Sequence, residues 1–311
     1  MIPLKDNVPT RNFPVVTVGL IAANVAVWFW EWKTGVNKEV LHYGYYPCTL
    51  AGPCDPRFVP PDHLSWYDGV FTSMFMHASW FHIGGNMLFL WIFGNNVEDS
   101  MGRVRFLFWY IAAGLAAAFA QTFVTLQYSD PVGSSIPNVG ASGAIAGVLG
   151  AYLVLLPDAS VLTFFFLVFF FFWRHIPAYL FLGIWLLLQL WEGGFAVLHP
   201  QLGGGVAFFA HIGGFAFGGA DDRARREATA LATGNSVDAF LTWLAVAAGV
   251  VGALVVLIFL LAPIWNDEPG SSVMKKHEDT YRNQGRDRAR DRAPRRALAR
   301  AFSRPRFRSR R

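Results

Sequence analysis

Val161 to Trp173 reads VLTFFFLVFFFFW, and whether this run crosses a membrane decides how the rest of the chain folds. It is apolar enough to be scored as a span. Only 13 residues precede Arg174 and His175, however, and Pro177 follows closely, whereas a hydrocarbon core of about 30 Å calls for about 20 residues. The run is also dense in Phe rather than Leu. It is expected to be a re-entrant or interfacial piece, part of a non-spanning connection over 157–175.

Around it, apolar runs of 16 to 25 residues are separated by Pro, Gly and charge clusters. Spans are expected at about 14–30, 78–97, 104–126, 139–156, 176–191, 203–220 and 239–263, six plus one, which predicts an all-α polytopic membrane protein. Composition agrees. Of 311 residues, 54% are hydrophobic and only 15% charged, with a mean hydropathy of +0.34, against about 25% charged in soluble domains. The net charge of +5 hides a split, since residues 264–311 hold 15 of the 26 Lys+Arg and 6 of the 21 Asp+Glu. The basic excess therefore belongs to an Arg-rich tail expected to be disordered. It could hold anionic lipid headgroups or bind nothing, and no nucleic-acid partner is expected.

Residues 1–13 are polar, with Lys5 and Arg11, so the first apolar run is expected to be a retained span. Residues 31–77, rich in Pro, Trp and Tyr, are expected to form an ordered interfacial loop. Within it Cys48 and Cys54 are too few for a disulfide framework or a four-ligand zinc site; a local disulfide and two free thiols both remain open. Lys and Arg occur in the N-terminus, beside the 98–103 turn, at Arg174 and in 221–238, but not in 127–138 or 192–202. This predicts a cytoplasmic N-terminus and, after the seventh span, an external tail, the tail running against the charge bias.

Polar residues inside spans are costly and are functional candidates. They are His82 and Asn86 in the second span, Ser142 in the fourth, Gln189 near the end of the fifth and His211 in the sixth. No Asp or Glu is expected inside a span, which excludes an intramembrane aspartate pair, and no H-E-x-x-H occurs, which excludes that zinc site. Ser142 stands in Gly140-Ala141-Ser142-Gly143 after a turn-rich segment, at a helix start whose free N–H groups favour negative charge. Gly143-x-x-x-Gly147 and Ala210-x-x-x-Gly214-x-x-x-Gly218 are small-residue faces that let two helices approach closely. With one span between them the fourth and sixth helices run parallel, placing Ser142 and His211 at a common depth.

Four motifs carry a closer likeness: HASWFHIGGNM (77–87), GNNVEDSMG (94–102), GASGAIAG (140–147) and GGVAFFAHIGGF (204–215). In this order they resemble the rhomboid intramembrane serine proteases, bacterial-type members with a six-helix core and a seventh C-terminal helix. The resemblance implies Ser142 as nucleophile and His211 as general base and later acid. It implies an oxyanion hole from the Ser142 backbone N–H with His82 and Asn86, and structural places for His77 and Glu98. It further implies a serine endopeptidase cutting in or beside the transmembrane segment of other membrane proteins, with no metal and no cofactor. The chain departs from some bacterial members in having Ala146 where an aromatic residue packs on the catalytic His, which leaves the support of His211 unassigned. It also lacks the Trp-Arg pair often seen in the first loop, where Trp66-Tyr67 is the nearest feature. The expected location is a bacterial plasma membrane. A silent client-binding relative would lack Ser142 or His211, and a transporter with a broken helix would need an inverted repeat that is not found. Substrate identity and oligomeric state are not specified by these residues.

Overall fold

The computed structural model describes residues 1–167, 170–198 and 206–220. The chain divides into two compact units, Met1–Thr233 and Gly234–Arg311, and every described residue belongs to the first. The connection 221–238, the seventh span expected at 239–263, the tail 264–311 and the first residues of the sixth span lie outside the described residues.

Most of the described chain is helical. Strand β1 (Ile2–Asp6) precedes α1 (Val15–Thr34), α2 (Val36–Tyr43) and α3 (Trp66–Thr72). A continuous helical rod then runs from Trp80 to Met101, built of α4 (Trp80–Phe89), one wide π turn (Leu90–Gly94) and α5 (Asn95–Met101). After it come α6 (Arg103–Tyr128), the single turn α7 (Pro131–Ser134), α8 (Ser142–Leu155), strands β2 (Ser160–Leu167) and β3 (Phe170–Pro177), α9 (Ala178–Leu198) and α10 (Phe208–Gly219). Helices α1, α6 and α9 are long and apolar enough to cross a membrane. Two more apolar helices are shorter, α8 with 14 residues and α10 with 12, or about 21 and 18 Å of rise.

Two expectations need correction. The chain is not all-α, because Val161–Leu167 and Phe170–Trp173 lie in two paired antiparallel strands, and Ile2–Asp6 of the supposedly plain polar terminus adds the third strand, in the order β1-β2-β3. The reason is side-chain chemistry. Aromatic residues fit a pleated surface better than a helix, and across the hairpin they meet directly, Phe165 on Phe172 with stacked rings 5.0 Å apart. Asp6 anchors the sheet to the helices, accepting hydrogen bonds from the Tyr152 hydroxyl (2.7 Å) and the Asn96 amide, while burial pushes its carboxyl pKa upward. The second correction concerns α1, which extends to Thr34 instead of ending near residue 30. That extension brings Glu31, fully buried, into the helix, and α9, which runs past the expected end at 191 to Leu198, likewise includes Glu192, against the expectation that no Asp or Glu lies inside a span.

The start of α1 has no capping side chain of its own at Pro14. Glu98, from α5, replaces it. One carboxylate oxygen accepts from the Val16 N–H (3.0 Å), the other from the Thr17 N–H and hydroxyl (both 2.7 Å). Asp99 accepts in turn from the N–H groups of Arg11 and Asn12. The Glu98 carboxylate thereby satisfies two of the donors that every helix start leaves free, while Asp99 holds the segment just before it.

Helix α8 is the centre of the packing, buried from Gly143 to Leu155. Small residues let its neighbours close on it. A Cβ added at Gly143 would lie 2.6 Å from Cβ of Ala117 on α6, and one at Gly147 the same distance from Ala113. On the other side a Cβ at Gly214 would run into the Gly143 carbonyl, and one at Gly218 into that of Gly147. The contact pairs advance together along both chains, so α8 and α10 run parallel.

The long segment before α4 is ordered. Cys48 and Cys54 form a disulfide, resolving the alternative left open by the sequence, and Asp55 N–H donates to Ser135 Oγ at 2.8 Å. Tyr45 and Asn138 exchange two backbone hydrogen bonds (3.1 and 2.7 Å). This loop thereby holds the strand-like stretch that leads into α8.

Candidate active site

Ser142 is the first residue of α8, and the first hydrogen bond within that helix is Ile145 N–H to the Ala141 carbonyl. The N–H groups of residues 142 to 144 are therefore free of intrahelical partners, and Ala141 supplies no side-chain cap. From the parallel α10, His211 brings Nε2 to 2.8 Å from Ser142 Oγ. The two side chains expected at one depth are in hydrogen-bond contact.

The other ring nitrogen, Nδ1, lies 2.7 Å from Gln189 Oε1 on α9. One helical turn earlier on the same face, Trp185 sets its ring against the imidazole, centroids 5.9 Å apart at 39°. The residue one turn after Ser142 is Ala146, so the aromatic neighbour of His211 comes from α9 instead of α8. Gln189 was legible as a polar residue within a span, but its partner was not.

Gln121, on α6, has a related task. Its Oε1 accepts from the N–H groups of Phe209 (3.1 Å) and Ala210 (3.2 Å), at the start of α10, where Ala207 offers no side-chain cap. It thus fixes the end of the helix that carries His211. Gln121 was not singled out from the sequence, although it interrupts the apolar run 104–126 just as Gln189 interrupts its own.

His82 and Asn86 lie one turn apart on α4. Ser79 Oγ accepts from the His82 N–H (3.1 Å) and so caps this helix. Ala78 N–H points at His82 Nδ1 (3.5 Å), a contact that makes Nδ1 the acceptor and leaves the proton on Nε2. A Cβ built on Gly140 would lie 2.7 Å from that Nε2 and 3.5 Å from Ser142 Oγ. Gly140 also has φ +124°, a left-handed conformation that favours glycine. Its N–H donates to the Ser73 carbonyl (2.8 Å). A bare backbone here lets the imidazole of His82 sit beside Ser142.

Asn86 Nδ2 lies 3.0 Å from His77 Nε2. The buried His77 places Nδ1 3.1 Å from the Phe75 carbonyl, an acceptor only, so Nδ1 carries the proton and Nε2 accepts from Asn86. The His77 backbone N–H donates to both carboxylate oxygens of Glu31, each at 3.2 Å. The chain Glu31, His77, Asn86 is thus a brace that orients the Asn86 amide. Ser142, His211, His82 and Asn86 all line one cavity of about 550 Å³, with an otherwise largely apolar wall that includes Phe81, Ile145, Ala146 and Trp185. His77 and Glu98 stand outside that lining, the latter capping α1 as described. Among the described residues no cluster of His, Cys, Asp or Glu has a geometry that could hold a metal ion.

An apolar cavity lined by a hydrogen-bonded serine and histidine, in a bundle with membrane-length helices, defines an integral membrane protein with a serine-hydrolase-like site. The Rhomboid domain family model matches residues 64–220, just over half of the chain and the whole of this site. The chain belongs to the rhomboid family. It is 35% identical over 106 residues to Rhomboid protein 1, mitochondrial, of Saccharomyces cerevisiae, covering 34% of this chain and 30% of the relative. Presenilin-associated rhomboid-like protein, mitochondrial, of Bos taurus is 30% identical over 144 residues (46% and 33%). Rhomboid protease GluP of Bacillus subtilis is 42% identical over 82 residues (26% and 14%). The chain therefore spans about a third or less of the length of these curated relatives. Two are mitochondrial by name, so the likeness does not single out the bacterial plasma membrane expected from the sequence.

Proposed function

We propose that the protein is an intramembrane serine endopeptidase that cleaves a peptide bond in or beside the transmembrane segment of another membrane protein. The observation that carries this reading is the 2.8 Å contact between His211 Nε2 and Ser142 Oγ in a cavity that also holds His82 and Asn86. Ser142 Oγ attacks the scissile carbonyl carbon while its proton passes to His211 Nε2. The carbonyl oxygen becomes an oxyanion that accepts from the Ser142 N–H, His82 Nε2–H and the second Asn86 Nδ2 hydrogen. Collapse of the tetrahedral adduct breaks the C–N bond, and His211 gives the proton to the leaving amine. Water then repeats the sequence on the acyl-serine, again with His211 as base. Two residues suffice for this proton path, in keeping with a dyad.

The bilayer arrangement in this reading is a six-helix core over 14–220 with a seventh span at 239–263 and an Arg-rich tail at 264–311. The N-terminus is cytoplasmic, because Lys and Arg cluster on that side. Family relatives whose names include a rhomboid protease support the activity. In vesicles holding the purified protein and a single-span reporter, the wild type should release a soluble fragment and Ser142→Ala should release none. Equal release by both would refute the reading.

A further inference from the structure

We propose that Gln189 is a positioning residue, which holds His211 in the one tautomer able to take the Ser142 proton. This rests on the Ser142–His211 reading above and adds a third member to it. A neutral imidazole carries a single proton. To accept from Ser142 Oγ–H at 2.8 Å, Nε2 must be bare, and Nδ1 must then be the N–H. An N–H in a largely apolar cavity needs an acceptor, and the group 2.7 Å from Nδ1 is Gln189 Oε1. The contact thus selects both the tautomer and the ring rotation that aims Nε2 at the serine.

Helix α9 supplies both of these contacts with the imidazole, the hydrogen bond and a ring. Trp185, four residues before Gln189, packs on the same imidazole, while the residue one turn after Ser142 is the small, fully buried Ala146. Gln189 is neutral, so it can orient the ring but lends no charge to the imidazolium that forms once Nε2 takes the proton. The proton on Nδ1 stays in place through the cycle. A single neutral hydrogen bond is modest in energy, which sets the scale of the expected effect.

The test is the rate at which a fluorophosphonate probe modifies Ser142 in the full chain in detergent, resolved into a maximal rate and a half-saturating concentration. Gln189→Met keeps length and apolar fit but removes the acceptor. Its maximal rate should fall roughly 3- to 30-fold with the half-saturating concentration unchanged. Gln189→Glu restores an acceptor at the same reach and should return the rate to within about twofold of wild type. A low-field proton resonance from His211 Nδ1–H should be present in wild type and Gln189→Glu, and absent in Gln189→Met. Should the Met variant not fold, Gln189→Asn, which withdraws the amide by one methylene, reads the same contact. A Met or Asn variant slowed less than threefold, or a Glu variant as slow as Met, would overturn the proposal. Failure of the wild type to be modified at Ser142 would instead overturn the dyad on which it rests.

Discussion

Ser142 is an unremarked alcohol in most sequence settings, and what supports the proposed nucleophile role here is an imidazole nitrogen at 2.8 Å and free N–H groups behind it. Ser142→Ala and His211→Ala should each abolish cleavage with expression unchanged, since the two act as one unit; turnover by either would sink the assignment. Asn86→Ala should lower kcat roughly 10- to 10³-fold, the range for one oxyanion donor, and wild-type kcat would leave Asn86 as merely a brace for His77. Gly140→Ala should be slow as well, because a methyl at φ +124° meets the His82 ring. The polar members of the site were legible because charge and hydrogen-bonding groups stand out against apolar runs. The Gln189–His211 contact was not, since it joins residues 22 apart whose pairing depends on how α9 docks.

At the scale of elements, the site depends on α8 and α10 lying backbone to backbone. Gly214→Leu should inactivate without touching a catalytic group, because a side chain there collides with the Gly143 carbonyl; an active variant would mean that this face is misread. Gln121→Leu removes the side-chain acceptor of the Phe209 N–H and one of the two acceptors of the Ala210 N–H, which keeps the Ala207 carbonyl, at the start of α10. It should cost about 0.5–2 kcal/mol in stability and slow probe labelling of Ser142, both read by comparing melting and labelling in detergent. The small-residue faces were legible as fixed spacings of Gly and Ala. The hairpin was not. Thirteen apolar residues fit a buried helix, a re-entrant piece or a strand equally well by hydropathy, and β2 is settled by pairing with β1, some 160 residues earlier in the chain. Glu98 is a similar case, for its partner is a helix start 81 residues away.

Among the described residues, the long loop, the disulfide and the 131–140 stretch form one support beside Ser142, while the sheet gathers at the opposite end of α8, where Tyr152 meets Asp6. These two ends should face opposite sides of the membrane. With both native cysteines replaced, a cysteine at Asp130 should react with a membrane-impermeant maleimide in intact cells, and one at Arg174 should be shielded. Labelling of Arg174→Cys with protection at Asp130 would invert the proposed orientation. The central claim is narrower than topology, namely that His211 activates Ser142. Its most direct measurement is mass spectrometry of the full chain after fluorophosphonate treatment. A single phosphonyl adduct on Ser142, lost in His211→Ala, is the expected result; an adduct on another residue, or one on Ser142 that forms equally fast without His211, would contradict it.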